Sequence, residues 1–146
     1  MLRLSKKSEY GLLLLGELAS GAAGPRSARE LAARLALSRP LVANLLKRLT
    51  RGGLLAATRG AGGGYALRRP AAAVSLRDVV VATDGPLSLT ACAGKARSRS
   101  PCGRSGCRAR PVLYNLQRSL DRLLAGVTLA ALVGPPRPLS PGARRR

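Results

Sequence analysis

The sequence predicts a mainly α-helical protein with a small β element in its middle and a long helix near its C-terminus. Apolar residues recur at helical spacing in several segments, and Ser-x-x-Glu/Asp start signals precede two of them. A glycine-rich stretch between two short apolar segments interrupts the helical period. The 146 residues and 46% apolar content suffice for one domain or a small domain with an extension. Because phenylalanine and tryptophan are absent, the core must be aliphatic.

The first helix is expected over residues 8–19, where amphipathic spacing is carried by Tyr10, Leu13, Leu14 and Leu18. A secretory signal is the alternative, because a basic start precedes an apolar run. Glu17 interrupts that run and favours the helix. No segment approaches the roughly 20 apolar residues of a membrane span. We therefore expect a cytoplasmic protein.

Two further helices are predicted before Gly52-Gly53. Ser27 and Glu30 form a capping box for a helix of about two turns, and Ser38 is a natural N-cap for the next helix, with Pro40 in its first turn. The inward stripe of that helix comprises Leu41, Val42, Leu45, Leu46 and Leu49. Its outer face comprises Arg39, Ala43, Asn44, Lys47, Arg48 and Arg51. This pair predicts a helix-turn-helix whose second helix enters a DNA major groove.

A β-hairpin is expected next, with strands over residues 54–58 and 65–67 around the connection RGAGGG. Arg59 stands at the start of this connection, where a guanidinium suits a narrow minor groove. A phosphate-binding nucleotide loop is the rival interpretation of the glycine run. No Lys-Ser/Thr follows and no helix opens after it. The hairpin is therefore predicted to be the wing of a winged helix-turn-helix.

The C-terminal part is expected to contain two more helices. Ser75 and Asp78 form a second capping box, and that helix should stop at Asp84-Gly85-Pro86. A continuous helix over residues 112–132 carries an apolar seam of Leu113, Leu116, Leu120, Leu123 and Val127. The seam either packs back on its own domain or pairs with a second copy. Pairing is favoured because helix-turn-helix proteins commonly read two half-sites as dimers.

These elements predict four regions. They are a winged helix-turn-helix domain over 1–83, a cysteine-bearing sensory loop over 84–110, a dimerisation helix over 111–132 and a disordered basic tail over 133–146.

The charge indicates a polyanionic partner. Lysine and arginine number 26 against six acidic residues, which gives +20 and an affinity for nucleic acid that should fall steeply with salt. Aromatic residues for stacking on unpaired bases are nearly absent, which counts against single-strand binding. With no histidine and six scattered acids, the sequence offers no acid–base pair or activated nucleophile, so an enzyme is not expected.

All three cysteines lie between Ala91 and Arg110, in a stretch with six lysines and arginines and no acid. In a reducing compartment such clustered thiols favour metal binding or redox chemistry over disulfides. An iron-sulfur cluster, a zinc site, a thiol-disulfide switch and cysteines without function remain open. Both metal sites normally take four protein ligands, so one ligand is missing from the stretch.

Several segments together resemble one known family, and they cover about residues 1–132. They are MLRLSKKSEYGLLLL, ARELAARLALSRPLVANLLKRLTRGGLL, RGAGGGYALRRP, VSLRDVVVATDGPLSLTAC and GVTLAAL. The chain resembles the IscR/NsrR (Rrf) family of winged helix-turn-helix transcription regulators, and within it the SUF-system regulators of iron-sulfur assembly. The resemblance implies a homodimer on a palindromic promoter in double-stranded DNA, acting as a repressor.

The resemblance also implies roles for individual residues. DNA contacts are expected from Ser38, Arg39, Ala43, Asn44, Lys47, Arg59 and Tyr65. Cys92, Cys102 and Cys107 would hold an iron-sulfur cluster, 2Fe-2S or 4Fe-4S, with the partner subunit's Glu9 as a fourth ligand. Glu9 is alternatively a carboxylate that stabilises a helix N-terminus, in which case solvent or a small thiol would fill the fourth position. A non-specific basic nucleic-acid-binding protein with a zinc or thiol-switch site is the other functional interpretation.

Overall fold

The structure is a computed structural model that describes residues 3–21, 24–90 and 107–134. Cys92, Cys102 and most of the predicted basic tail therefore lie outside the described residues. The elements are α1 (Lys6–Ser20), α2 (Ala28–Arg34), α3 (Arg39–Arg51), β1 (Leu55–Thr58), β2 (Gly64–Leu67), a 3₁₀ turn (Ala71–Ala73), α4 (Leu76–Asp84), α5 (Ala109–Gly126) and α6 (Leu129–Val133).

The predicted helix starts at Ser27, Ser38 and Ser75 are confirmed, whereas the first helix begins at Lys6 and the long C-terminal helix at Ala109, both before their predicted starts. Ser27 and Glu30 make the reciprocal bonds of a capping box at α2, and Ser75 and Asp78 do so at α4. Ser38 occupies the N-cap position of α3, but its side chain makes no cap hydrogen bond. The first helix extends beyond the prediction at both ends; its earlier start follows from Ser5, whose side chain caps the helix by accepting a bond from the Ser8 amide.

The core is aliphatic, as predicted, and it joins α1, α2, α3, α4, the hairpin and α6. Its fully buried side chains include Leu14, Leu31, Leu46, Val79 and Leu129. One predicted position on α1 is wrong: Leu13 is 52% exposed, whereas Gly11 and Leu15 are buried. The helix is rotated relative to the prediction because α4 approaches it at Gly11, where an added Cβ would lie 3.0 Å from the Thr83 methyl carbon.

The predicted wing is an antiparallel hairpin in which Leu55 pairs with Leu67 and Thr58 with Gly64. Gly60 and Gly62 have positive φ angles of 102° and 79°, so the connection needs residues without a Cβ. Arg26 exchanges both backbone hydrogen bonds with Tyr65, at 3.0 and 2.8 Å. The segment before α2 thereby ties the wing to the helical part of the domain.

The prediction of one continuous helix over 112–132 is wrong. Helix α5 ends at Gly126, and α6 begins at Leu129. Between them the Val127 carbonyl accepts from the Leu76 amide at 2.7 Å, and the Leu129 amide donates to the Val74 carbonyl at 2.8 Å. This backbone pairing stops the helix and returns the chain to the winged domain, where Leu129 is buried.

Candidate nucleic-acid interface and cysteine segment

Helix α3 presents a polar face held in place by an apolar one. Val42, Leu45, Leu46 and Leu49 are buried, so the rotation of the helix about its axis is determined by the core. The opposite face exposes the five predicted contact residues, Ser38, Arg39, Ala43, Asn44 and Lys47. A helix with an exposed amide, cations and small side chains on one face has the composition that enters a major groove.

Arg48 does not lie on that outer face, and this part of the prediction is wrong. Its side chain turns toward α4, where Nη1 donates to the Thr83 carbonyl at 2.9 Å. Helix α4 has no basic residue in its last turn, and a guanidinium at its C-terminus offsets the negative end of the helix dipole. Arg48 therefore links the orientation of α3 to that of α4.

The C-terminal end of α4 is also joined to the start of α1. The Asp84 carboxylate accepts from the hydroxyls of Ser5 and Ser8, the latter at 2.7 Å, and Ser8 also contacts the buried Thr83 hydroxyl at 2.7 Å. Burial alone would raise the pKa of Asp84, but the hydroxyl donors and the nearby cations Lys7 and Arg48 lower it. The charged carboxylate is thus the form that holds these two helices together.

The two predicted residues of the wing are placed differently. Arg59 is exposed at the start of the connection between the two strands, so its side chain can extend away from the protein surface. Tyr65 is half-buried, and it packs against the core. A DNA contact by Tyr65 stays a prediction that this packing does not support.

Glu17 connects three elements of the winged domain. Its carboxylate pairs with Arg34 of α2 and, at 2.5 Å, with Arg26 beside the wing. Hydrogen bonds from Arg34 and Arg26 lower the pKa of Glu17. The residue that interrupted the apolar run of α1 is therefore an anchor between α1, α2 and the wing.

Of the four predicted cluster ligands, Cys107 and Glu9 lie on described residues. Cys107 lies two residues before Ala109, the first residue of α5, is half-buried and forms no disulfide within the described chain. It is followed by Arg108 and Arg110, whose positive charges would offset the negative charge of a thiolate-ligated cluster. Glu9 lies in the first turn of α1 and pairs with Lys6 at 2.6 Å on the surface. The carboxylate of Glu9 is accessible to a metal centre.

The donor set around these two residues is incomplete in the described chain. No group of three or more potential metal ligands comes together among residues 3–21, 24–90 and 107–134. Cys107 supplies a thiol and Glu9 an oxygen, so the chemistry of the described donors is compatible with an iron-sulfur cluster. The fourfold shell itself stays a prediction.

Gln117 is a residue that sequence reasoning missed. Among the residues of α5, all of which the structure describes, it alone is buried. Its Nε2 donates to the Leu87 carbonyl at 2.8 Å, and its Oε1 accepts from the Leu89 amide at 2.9 Å. These bonds fasten to α5 the backbone that leads into the cysteine segment. Helical periodicity gave no signal for it, because Gln117 is one of several polar residues between positions 115 and 122 of α5.

The described helices include none with the length and apolar character that a membrane span needs.

Comparisons with known proteins agree on one family. Residues 4–135 match the model of the Rrf2 family, described as an iron-dependent transcriptional regulator. The chain is 30% identical over 133 residues to the HTH-type transcriptional regulator IscR of Yersinia pseudotuberculosis, covering 90% of this chain and 79% of that protein. The corresponding regulator of Escherichia coli is 29% identical over the same length.

Two solved structures have the same fold. CymR, the global cysteine regulator of B. subtilis, has a TM-score of 0.71 and 27% identity, covering 91% of this chain and 97% of that chain. IscR of T. potens has a TM-score of 0.67 and 27% identity, covering 90% and 86%. The mainly helical fold with a two-stranded wing is therefore confirmed. The chain belongs to the Rrf2 family of winged-helix, DNA-binding transcription regulators, and it is not an enzyme.

Proposed function

We propose that this chain is a dimeric, sequence-specific repressor that binds a palindromic promoter site and changes its DNA affinity with the state of its three cysteines. The observation that carries the DNA-reading part is α3, whose buried stripe directs Asn44 and Lys47 outward. An interface built on a helix fixed by core packing holds its contacts in a constant geometry, as sequence discrimination requires.

The contact residues divide into two roles. Lys47 and Arg39 neutralise phosphates and provide affinity that depends on salt. Asn44 both donates and accepts, so it is the residue that reads a base edge, with adenine as the partner that suits a side-chain amide. Ser38, whose hydroxyl is not used for capping, and Ala43 contact the same groove, and Arg59 of the wing enters the minor groove.

A second copy of the chain would cover the exposed apolar surface of α5. Val112, Leu116 and Leu123 are 67, 55 and 59% exposed, although they are large apolar side chains on a single helix. Two such helices packed together would bury this surface and place two winged domains at a defined spacing. The dimer would then read two half-sites related by a two-fold axis.

The cysteines are proposed to hold an iron-sulfur cluster through Cys92, Cys102 and Cys107, with the partner subunit's Glu9 as the fourth ligand. When bound, such a cluster supplies a redox-sensitive centre that oxygen or iron shortage removes. The chain's own contribution is to hold both ends of the cysteine segment on α5, at Leu89 through Gln117 and at Cys107. A change in that segment would thereby reach the dimer helix.

Footprinting on the promoter of the protein's own gene tests the DNA-reading proposal. We expect a protected palindrome, which Asn44→Ala should weaken selectively while binding to a scrambled duplex stays unchanged. Uniform coating that disappears at modest salt would contradict the proposal and support a non-specific basic protein.

Anaerobic reconstitution with iron and sulfide tests the cluster. The protein should become brown, and Cys92→Ala should abolish the visible absorbance, while Glu9→Gln should shorten the lifetime of the colour in air. A colourless protein that still responds to oxidant in DNA binding would instead identify a thiol switch.

A further inference from the structure

A cationic groove lies between α3 and α4, beside the outer face of α3. Its volume is about 590 Å³, and Asn44, Lys47, Arg48 and Arg51 line it from α3. Arg77, Asp78 and Val81 line it from α4. Since Asn44 and Lys47 belong both to this groove and to the proposed base-reading face, the two surfaces are continuous.

The positive charge of the groove is not neutralised from within. Its acidic residue, Asp78, is engaged by the Ser75 amide at 3.0 Å and faces Arg69 at 3.6 Å. Within the described part of the chain, Lys47 and Arg51 have no acidic partner.

Among the described residues, the internal acidic partners of Arg77 are weak ones: its charge acts on the neighbouring Asp78, which is already bonded to Ser75, and on Asp121. Arg77 lies 3.8 Å from Asp121, and its side chain is half exposed. An ion pair at that distance and exposure holds a guanidinium loosely. Arg77 is therefore available to an external anion.

We propose that this groove binds backbone phosphates of the DNA, with Arg51 and Arg77 as the phosphate-binding groups, so that the DNA interface extends from the helix-turn-helix onto α4. The proposal rests on the proposed function, since α3 must lie in the major groove for the phosphates to pass beside it. Guanidinium groups bind phosphate oxygens through paired N–H donors, and an open, strongly positive groove suits a continuous polyanion. Arg48 is held by Thr83 and would position α3 instead of binding phosphate.

The proposal predicts a specific dependence on salt. Each phosphate contact contributes about 0.9 to the slope of log affinity against log salt concentration. Arg77→Gln and Arg51→Gln should each lower that slope by about 0.9, on the operator and on a scrambled duplex alike. Between about 50 and 200 mM salt, one phosphate contact accounts for a roughly threefold to fourfold decrease in DNA affinity. A variant that lacks the contact should lose that part of the decrease. Asn44→Ala should reduce the preference for the operator without changing the slope.

The experiment is a fluorescence-anisotropy titration of full-length protein with operator and scrambled duplexes across that salt range. Arg77→Lys keeps the charge and should retain the slope, while Arg122→Gln, on α5 and outside the groove, is the matched control that should behave as the parent. Sedimentation and thermal unfolding of every variant show whether dimer and fold are intact.

Three results would overturn the proposal. Slopes for Arg51→Gln and Arg77→Gln equal to that of Arg122→Gln would exclude phosphate contacts. A change in the sedimenting mass of Arg77→Gln would assign the groove to the contact between copies. Stabilisation of the parent but not Arg77→Gln by inorganic phosphate, with an unchanged DNA slope, would assign it to a small anion. Failure of the parent to prefer the operator would contradict the proposed function but not the groove, because the scrambled duplex still reports the slope.

Discussion

The winged domain buries its large apolar side chains, whereas helix α5 leaves large apolar side chains exposed. In the winged domain, Leu14, Leu46 and Leu49 are completely buried by the chain itself. On α5, Leu116 and Leu123 remain more than half exposed, and the buried residue is the polar Gln117. The core of the winged domain is thus formed by one chain alone, whereas α5 has an exposed apolar surface of the kind that packs against a partner.

The largest effect should come from truncating the core of the winged domain. Leu46→Ala removes a fully buried side chain from the junction of α3 with its neighbours, and it should lower the free energy of unfolding by about 2–5 kcal/mol. Leu13→Ala, at a half-exposed position of α1, is the matched control, and its cost should stay within about 0.5 kcal/mol. Denaturant unfolding measures both. Equal costs would contradict the core assignment.

The next effect separates the two regions directly. Leu116→Glu places a charge in the exposed seam of α5, which should give a monomer and, by loss of the second half-site, about a hundredfold weaker operator binding. The far-UV circular dichroism spectrum should not change, because the winged domain should keep its fold. Arg118→Gln, on the opposite side of α5, should remain dimeric. A dimeric Leu116→Glu variant with parental affinity would show that the seam is not the contact.

A smaller effect is expected from Gln117, which joins α5 to the segment that leads to the cysteines. Gln117→Leu leaves the Leu87 carbonyl and the Leu89 amide without their partner, at a cost of about 1–3 kcal/mol. Amide exchange at Leu89 should accelerate, and the response of DNA binding to cysteine state should weaken. Asn115→Leu, at an exposed position of α5, should change neither. Unchanged exchange at Leu89 would refute the anchoring role.

The smallest effect concerns pH and the ion pairs inside the winged domain. Because the pKa of Glu17 is lowered in the folded state from its ordinary value of 4.5, its stabilisation is present above that value. It is lost as pH falls through the lowered pKa. The parent should therefore melt above Glu17→Gln near neutral pH, and the gap should narrow below about pH 4.5. Thermal scans from acid to neutral pH measure this, and a gap independent of pH would contradict it.

The two regions also differ in how much of their structure could be predicted from the sequence. The capping boxes at Ser27 and Ser75 were predictable because each signal lies within four residues, and the wing was predictable from its glycines. The outer face of α3, apart from Arg48, followed from the helical period. These local patterns predicted the mainly helical fold with its wing and the exposed face of α3.

The remaining features depend on residues far apart in the chain. Helix α5 ends where Val127 pairs with Leu76, a long-range backbone contact, although Gly126 and Thr128 offered a local stop and start signal. Arg48 turns inward because the C-terminus of α4 lies beside it, and Gln117 is buried because residues 87–89 cross α5. The proposed ligand shell of the cysteines would combine positions on separate segments and a second subunit. Periodicity cannot supply such contacts.

The most direct test of this account is the mass of the parent protein by sedimentation equilibrium, with and without a duplex carrying the palindrome. We predict a species of twice the 15.1 kDa of one chain in the absence of DNA, and one such dimer on each palindrome. A single-chain mass that persists at concentrations saturating the operator would contradict the claim that α5 is completed by a second copy.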